Sequence, residues 1–134
     1  MATKNIETKA YSVTIPGRFP SMNQFICANR THVHKGNKMK QDSQNEIAYY
    51  LLEQLHRIHF DEPVYLKYRF YEQNKKRDLD NISSYFHKVF QDTLVQCRIV
   101  HNDSWEYIVG FSDEFYVDNK NPRIEIDIIP KPKK

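Results

Sequence analysis

Apolar and polar positions alternate from Tyr11 to Ile15, with Val13 set between Ser12 and Thr14, and this predicts a strand closed by the Pro16-Gly17 turn signal. Residues 16–40 carry no apolar period and read as a long polar loop, a feature that in a small domain is usually functional or mobile. From Asp42 or Ser43, either able to cap a helix, Ile47, Tyr50, Leu51, Leu55 and Ile58 fall at helical spacing. After Pro63, Val64, Leu66, Tyr68 and Phe70 alternate with Tyr65, Lys67, Arg69 and Tyr71 and predict a second strand. Ile82, Tyr85, Phe86, Val89, Phe90, Thr93 and Leu94 then recur at the spacing of an amphipathic helix, which Asp80 or Asn81 would cap. Residues 107–117 and 123–129 are β-rich and flank Asp118-Asn119-Lys120-Asn121-Pro122, the pattern of a hairpin. The order of elements predicts one α+β domain over residues 1–130, with a mostly antiparallel or mixed sheet and two main helices. Residues 131–134, Lys-Pro-Lys-Lys, read as a disordered basic tail.

The chain has 134 residues, 40% of them hydrophobic, enough for one core and short for two. No apolar run is long enough for a membrane span, and Thr3, Lys4, Asn5, Glu7 and Lys9 stand where a secretory signal needs apolar residues, so a soluble cytoplasmic protein is expected. Cys27 and Cys97 form neither a C-x-x-C pair nor a disulfide framework and are expected to be reduced.

The net charge is +3, and Lys131, Lys133 and Lys134 account for it, so bulk charge alone says nothing about a partner. Distribution says more: residues 1–77 hold 13 Lys and Arg against 7 acids, whereas residues 78–134 hold 7 against 10. Arg30, Lys35, Lys38 and Lys40, and again Lys75, Lys76 and Arg77, are basic stretches without an intervening acid. Of these, Arg30, Lys38, Lys40, Lys75, Lys76 and Arg77 are the candidate phosphate contacts. An ordinary solvated surface explains either cluster taken alone equally well. His32 and His34 near Cys27 fit no structural-zinc spacing. With 3 glycines and no glycine-rich phosphate loop, neither a nucleotide cofactor nor a D-x-D transferase finds support. The rings of Tyr65, Tyr68, Phe70 and Tyr71 are better explained by packing than by base stacking.

Residues 77–81 read Arg-Asp-Leu-Asp-Asn where a strand gives way to a helix. In extended backbone, Asp78 and Asp80 would point to one side and Leu79 toward the core. Two such carboxylates can hold a hard divalent cation, and the helix N-terminus beside them favours negative charge and phosphate. Helix capping is the plain alternative for either acid. Asp103, in His101-Asn102-Asp103, starts from the far end of the second helix and joins the pair only if the chain turns back; an ordinary turn aspartate is its alternative.

The succession Arg77-Asp78-Leu79-Asp80-Asn81, then Asp92-Thr93-Leu94 at a helix end, then Asn102-Asp103 before an aromatic residue, resembles the RusA family of phage and prophage Holliday-junction resolvases, and in its closing Val117–Arg123 segment the Gram-positive branch. Pro20-Ser21-Met22-Asn23 resembles the early P-S-x-N of that family. The resemblance spans residues 11–129. It implies that Asp78, Asp80 and Asp103 bind magnesium in each protomer and that a homodimer cleaves opposed strands of a four-way junction. The family places a catalytic lysine four residues after the second D-x-D aspartate, where this chain has Ser84; counting back from Asp92-Thr93-Leu94 selects Lys88 instead. A surface ion pair with Asp92 is the alternative for Lys88. A junction-binding protein without catalysis, its acids serving as caps, is the competing reading of the whole.

Overall fold

The computed structural model describes residues 9–132, so Thr3–Glu7 of the polar N-terminus and Lys133 and Lys134 of the basic tail lie outside the described residues. The elements are β1 (Tyr11–Pro16), α1 (Met22–Thr31), α2 (Val33–Leu55), β2 (Val64–Glu72), α3 (Leu79–Gln96), β3 (Ile108–Val117) and β4 (Arg123–Pro130). They make one α+β domain with a four-stranded mixed sheet in the order β1-β4-β2-β3. β4 runs antiparallel to β1 and to β2, while β3 lies parallel to β2.

The alternating strands place Val13, Ile15, Leu66, Tyr68, Phe70, Ile124, Ile126 and Ile128 on one face, where they are buried beneath Ile47 and Leu51 of α2 and Phe86, Val89 and Phe90 of α3. The opposite face is polar. There Arg69 lies across from Glu125 and bonds both Glu125 and Asp127, and Arg123 bonds Glu125 and Asp118. Tyr68 and Phe70 are fully buried, which makes packing their role. No helix among the described residues is long and apolar enough to cross a membrane.

Three helices replace the two expected, because residues 22–40 are helical rather than loop. Ser21 starts α1 with a capping box: its hydroxyl accepts the Gln24 N–H, and the Gln24 side chain accepts the Ser21 N–H. α1 buries no residue completely; only Met22 and Phe25 pack against the core, each in part, so its apolar signal is short. α2 begins at Val33 under His32, not at Asp42 or Ser43. Its first turns cross α1 closely; a β-carbon on Gly36 would fall on the Asn29 side chain. Ser43 is buried within the helix and shares a 2.8 Å hydrogen bond with the Tyr85 hydroxyl.

The expected hairpin is also absent. β3 and β4 do not pair with each other, since β2 lies between them. The Asp118–Pro122 link arches over the end of β2, with the Asp118 N–H donating to the Glu72 carbonyl at 2.7 Å and the Gly17 N–H to Pro122 at 2.9 Å. Inserting β2 gives this largely apolar strand a hydrogen-bonded partner on both edges. Beyond β4, the Lys131 N–H donates to the Pro63 carbonyl and its ammonium lies 5.5 Å over the Tyr65 ring, so the first residue of the expected free tail is docked.

Candidate active site

The ends of β2 and α3 are joined by a clasp around Glu72, a buried carboxylate. Arg77 donates Nε and Nη2 to it at 3.1 and 2.9 Å, and Arg18 donates Nη2 at 3.2 Å. The remaining Arg77 nitrogen, Nη1, donates to the Phe19 carbonyl at 2.9 Å. Arg77, expected at a phosphate, is thus directed inward and is only 17% exposed. The clasp ends the strand at Glu72 and returns the chain to helix by Leu79.

This sets the geometry of the D-x-D pair. Only Asp78 is extended; it is the N-cap residue of α3, and its side chain makes no capping hydrogen bond. Asp80 lies within the first helical turn, so neither Asp80 nor Asn81 is the cap, and Leu79 is 57% exposed rather than in the core. The expectation of two carboxylates on one side of a strand fails because the helix starts one residue after Asp78. Both acids instead flank the open N-terminus of α3. Asp78 lines a cleft of about 670 Å³ with Glu72, Lys75, Ile82, Phe115 and Tyr116. Asn81 serves to join two segments: its Oδ1 accepts the Asn23 N–H at 2.8 Å, which ties the P-S-x-N segment of α1 to the D-x-D-N segment of α3.

One face of α3 carries Asp80, Ser84, Lys88 and Asp92 at four-residue intervals, each about 6 Å further along the axis. Beside it is a hollow of about 280 Å³, with Ser84, His87, Lys88 and Gln91 from the helix on one side and Asp103 and Phe111 on the other. Asp92 pairs at 3.1 Å with Lys40 of α2, not with Lys88. Asp103 therefore shares a hollow with Ser84 and Lys88. Among the described residues no three His, Cys, Asp or Glu side chains gather as a metal-binding group, so Asp103 does not form one with Asp78 and Asp80 inside a single chain.

Asp78, Asp80 and Asp103 are exposed, and among the described residues none of their carboxylates has an ion pair or a side-chain hydrogen bond. Glu72, Asp92, Asp113, Asp118, Glu125 and Asp127 are all engaged by cations or histidine. Free carboxylates at a helix start suit a hard cation, which takes one or two of them and fills its remaining positions with water and substrate oxygen. The donor chemistry of Asp78 and Asp80 fits such an ion.

Of the other basic candidates, Arg30 ends α1 and Lys75 and Lys76 sit in the turn before α3, all exposed. Lys38 forms an exposed pair with Asp42, which solvent and salt weaken. Lys40 is committed to Asp92. His32 caps α2 by accepting the His34 N–H, a structural use for a residue with no zinc partners among the described residues.

One further pair has no sequence signal. His87 Nε2 and Asp113 Oδ1 are 2.7 Å apart, joining α3 to β3. The two residues are 26 positions apart and share no motif, so only the parallel docking of β3 beside β2 brings them together.

A family model, Endodeoxyribonuclease RusA, matches residues 16–129. Comparison with curated proteins finds no match. The matched span runs from the last residue of β1 nearly to the end of β4 and includes the Glu72 clasp, the D-x-D pair, Lys88 and Asp103. The chain belongs to the RusA endodeoxyribonuclease family, the Holliday-junction resolvases whose motifs its sequence carries.

Proposed function

We propose that this protein is a magnesium-dependent endonuclease that resolves four-way DNA junctions by paired strand cuts, acting as a homodimer in recombination and repair in the cytoplasm. One observation carries the reading. The carboxylates of the three acids singled out by the motifs, Asp78, Asp80 and Asp103, lack protein partners among the described residues, whereas Glu72, which lines the same cleft as Asp78, and Asp92, which lines the same hollow as Asp103, are paired with cations. Asp78 and Asp80 would hold the cation; bound there, magnesium supplies charge neutralisation at the phosphate and a more acidic water. Lys88 faces the attacked phosphate and stabilises the charge it gains. Arg30, Lys75 and Lys76 meet phosphates along the arms, and Arg77 holds the D-x-D turn in place through Glu72. Two copies related by a two-fold axis match the approximate two-fold symmetry of a junction.

Purified protein on a mobile four-way junction and on matched linear duplex, with magnesium or EDTA, tests this. Symmetric nicks in the junction alone, only with magnesium, are expected; equal cutting of the duplex refutes the junction assignment. Light scattering at micromolar concentration should give the mass of a dimer.

Among the described residues no three carboxylates gather within one chain, which favours a second reading, a junction-binding protein without catalysis. It is distinguished by melting temperature. Magnesium should raise that of the wild type and leave the double variant Asp78→Asn, Asp80→Asn unchanged, whereas a non-catalytic binder shows no such difference.

A further inference from the structure

The His87–Asp113 pair is built in the way that orients an imidazole for proton transfer. Asp113 accepts from Nε2 at 2.7 Å, and both side chains are largely enclosed, 16% and 20% exposed. The ring is held between Tyr68 and Phe111, with centroids 4.5 and 4.4 Å away, and the Tyr68 hydroxyl is itself fixed by Gln91. The second ring nitrogen, Nδ1, has no protein partner among the described residues. It is not sealed in either, because no buried side-chain nitrogen or oxygen there lacks a partner. His87 lines the hollow that also receives Ser84, Lys88 and Asp103. A carboxylate fixing one nitrogen and leaving the other at an open site is the arrangement by which a histidine is positioned as an acid or base.

We infer that His87 is the general acid of the cleavage reaction and that Asp113 is its positioning residue. This rests on the nuclease reading above. As the oxygen of a water forms its bond to phosphorus, the ester P–O bond on the opposite side breaks and its electron pair stays on the leaving oxygen. His87 delivers the Nδ1 proton to that oxygen, which departs as a neutral hydroxyl, and the imidazole regains a proton from solvent. The proton lost by the attacking water passes to solvent. Asp113 keeps Nε2 occupied throughout, so that Nδ1 is the nitrogen offered to the substrate. Lys88, the next residue, faces the same phosphate with a fixed charge and no proton role.

A bridge between α3 and β3 that serves stability alone predicts different behaviour, and the leaving atom separates the two. The products of the wild type identify which bridging oxygen leaves. Single-turnover rates are then measured for wild type, His87→Ala, His87→Gln and Asp113→Asn. The substrates are an ordinary junction and one carrying sulfur in place of that oxygen, since a thiolate departs without a proton. For His87→Ala and His87→Gln a loss of about a hundredfold or more is expected on the oxygen junction, with a rate near wild type on the sulfur junction. Asp113→Asn should show a smaller loss that sulfur likewise removes. The ratio of the two rates within one preparation does not depend on the fraction folded, and His87→Gln serves if His87→Ala does not fold. Equal losses on both substrates, or no loss on either, overturn the general-acid role while leaving the nuclease reading intact. A wild type that cuts no junction overturns both.

Discussion

Lys40 of α2 holds Asp92 of α3 at 3.1 Å, and so occupies the carboxylate that Lys88 would otherwise meet one turn away. Lys88 is left exposed on the rim of the hollow that contains Asp103. Lys88→Ala should therefore slow single-turnover cleavage by roughly a hundredfold, the cost of losing one electrostatic stabiliser, with little change in junction affinity. Ser84→Ala should cleave close to wild type. A large defect in the serine variant beside a normal lysine variant would assign the site to Ser84.

Asp78→Asn, Asp80→Asn and Asp103→Asn should each abolish cleavage and leave junction binding unchanged or tighter, since each removes a negative charge near phosphate. Asp78 makes no side-chain cap bond and asparagine caps well, so the melting temperature without metal should hardly move. Full activity in any one variant, measured by gel assay with magnesium, removes that acid from the site.

The legible parts of this molecule were those whose burial imposes a period. β1, β2 and α3 each bury one face, and their apolar spacing predicts them within a few residues. α1 and the first turns of α2 sit at the rim with almost nothing buried, so residues 22–40 look like loop although Ser21 and Gln24 form a full capping box. The partners of β3 and β4 were hidden for another reason: alternation marks a strand but not its neighbour, and a short polar link can join a hairpin or step over a third strand. In the site, the motif singled out Asp78, Asp80, Asp103 and Lys88 as candidates. It could not foresee that Glu72 would draw Arg77 inward, or that His87 and Asp113 would meet, because both depend on contacts between separate elements.

Arg77 and its neighbours should separate cleanly by experiment. Arg77→Ala leaves the buried Glu72 with Arg18 alone and should cost about 3 kcal/mol of stability in urea unfolding; Arg77→Lys cannot restore the two-pronged contact. Lys75→Ala and Lys76→Ala should leave stability unchanged and each reduce the salt dependence of junction binding by about one phosphate contact.

On the open face of the sheet, hydrogen bonds from Arg69 hold the Asp127 carboxyl below the usual carboxylate range. Burial would push Glu125 up, but bonds from Arg123 and Arg69 outweigh it and it too is lowered. A carboxyl depressed in the folded state adds stability above its unfolded value, near pH 4, and loses it as pH falls through the folded value. Urea midpoints should thus drop steeply below about pH 4 in the wild type. Arg69→Ala should be less stable by about 1 kcal/mol at pH 7 and show a shallower acid slope. Parallel pH curves for the two proteins would exclude this network as the source.

The position of β4 governs how the chain can reach its native state. Although it is the last strand among the described residues, it lies inside the sheet, and Tyr11 pairs with Ile128 across almost their whole span. β1 has no neighbour until β4 arrives, and β2 has an unfilled edge. A nascent chain on the ribosome can assemble α1, α2 and α3 early but must keep an apolar gap open until residues 123–130 emerge. Contacts so distant in sequence close slowly. Loss of residues 123–130 would therefore split the sheet through its middle rather than trim its border, and would leave two unpaired strand edges open to aggregation.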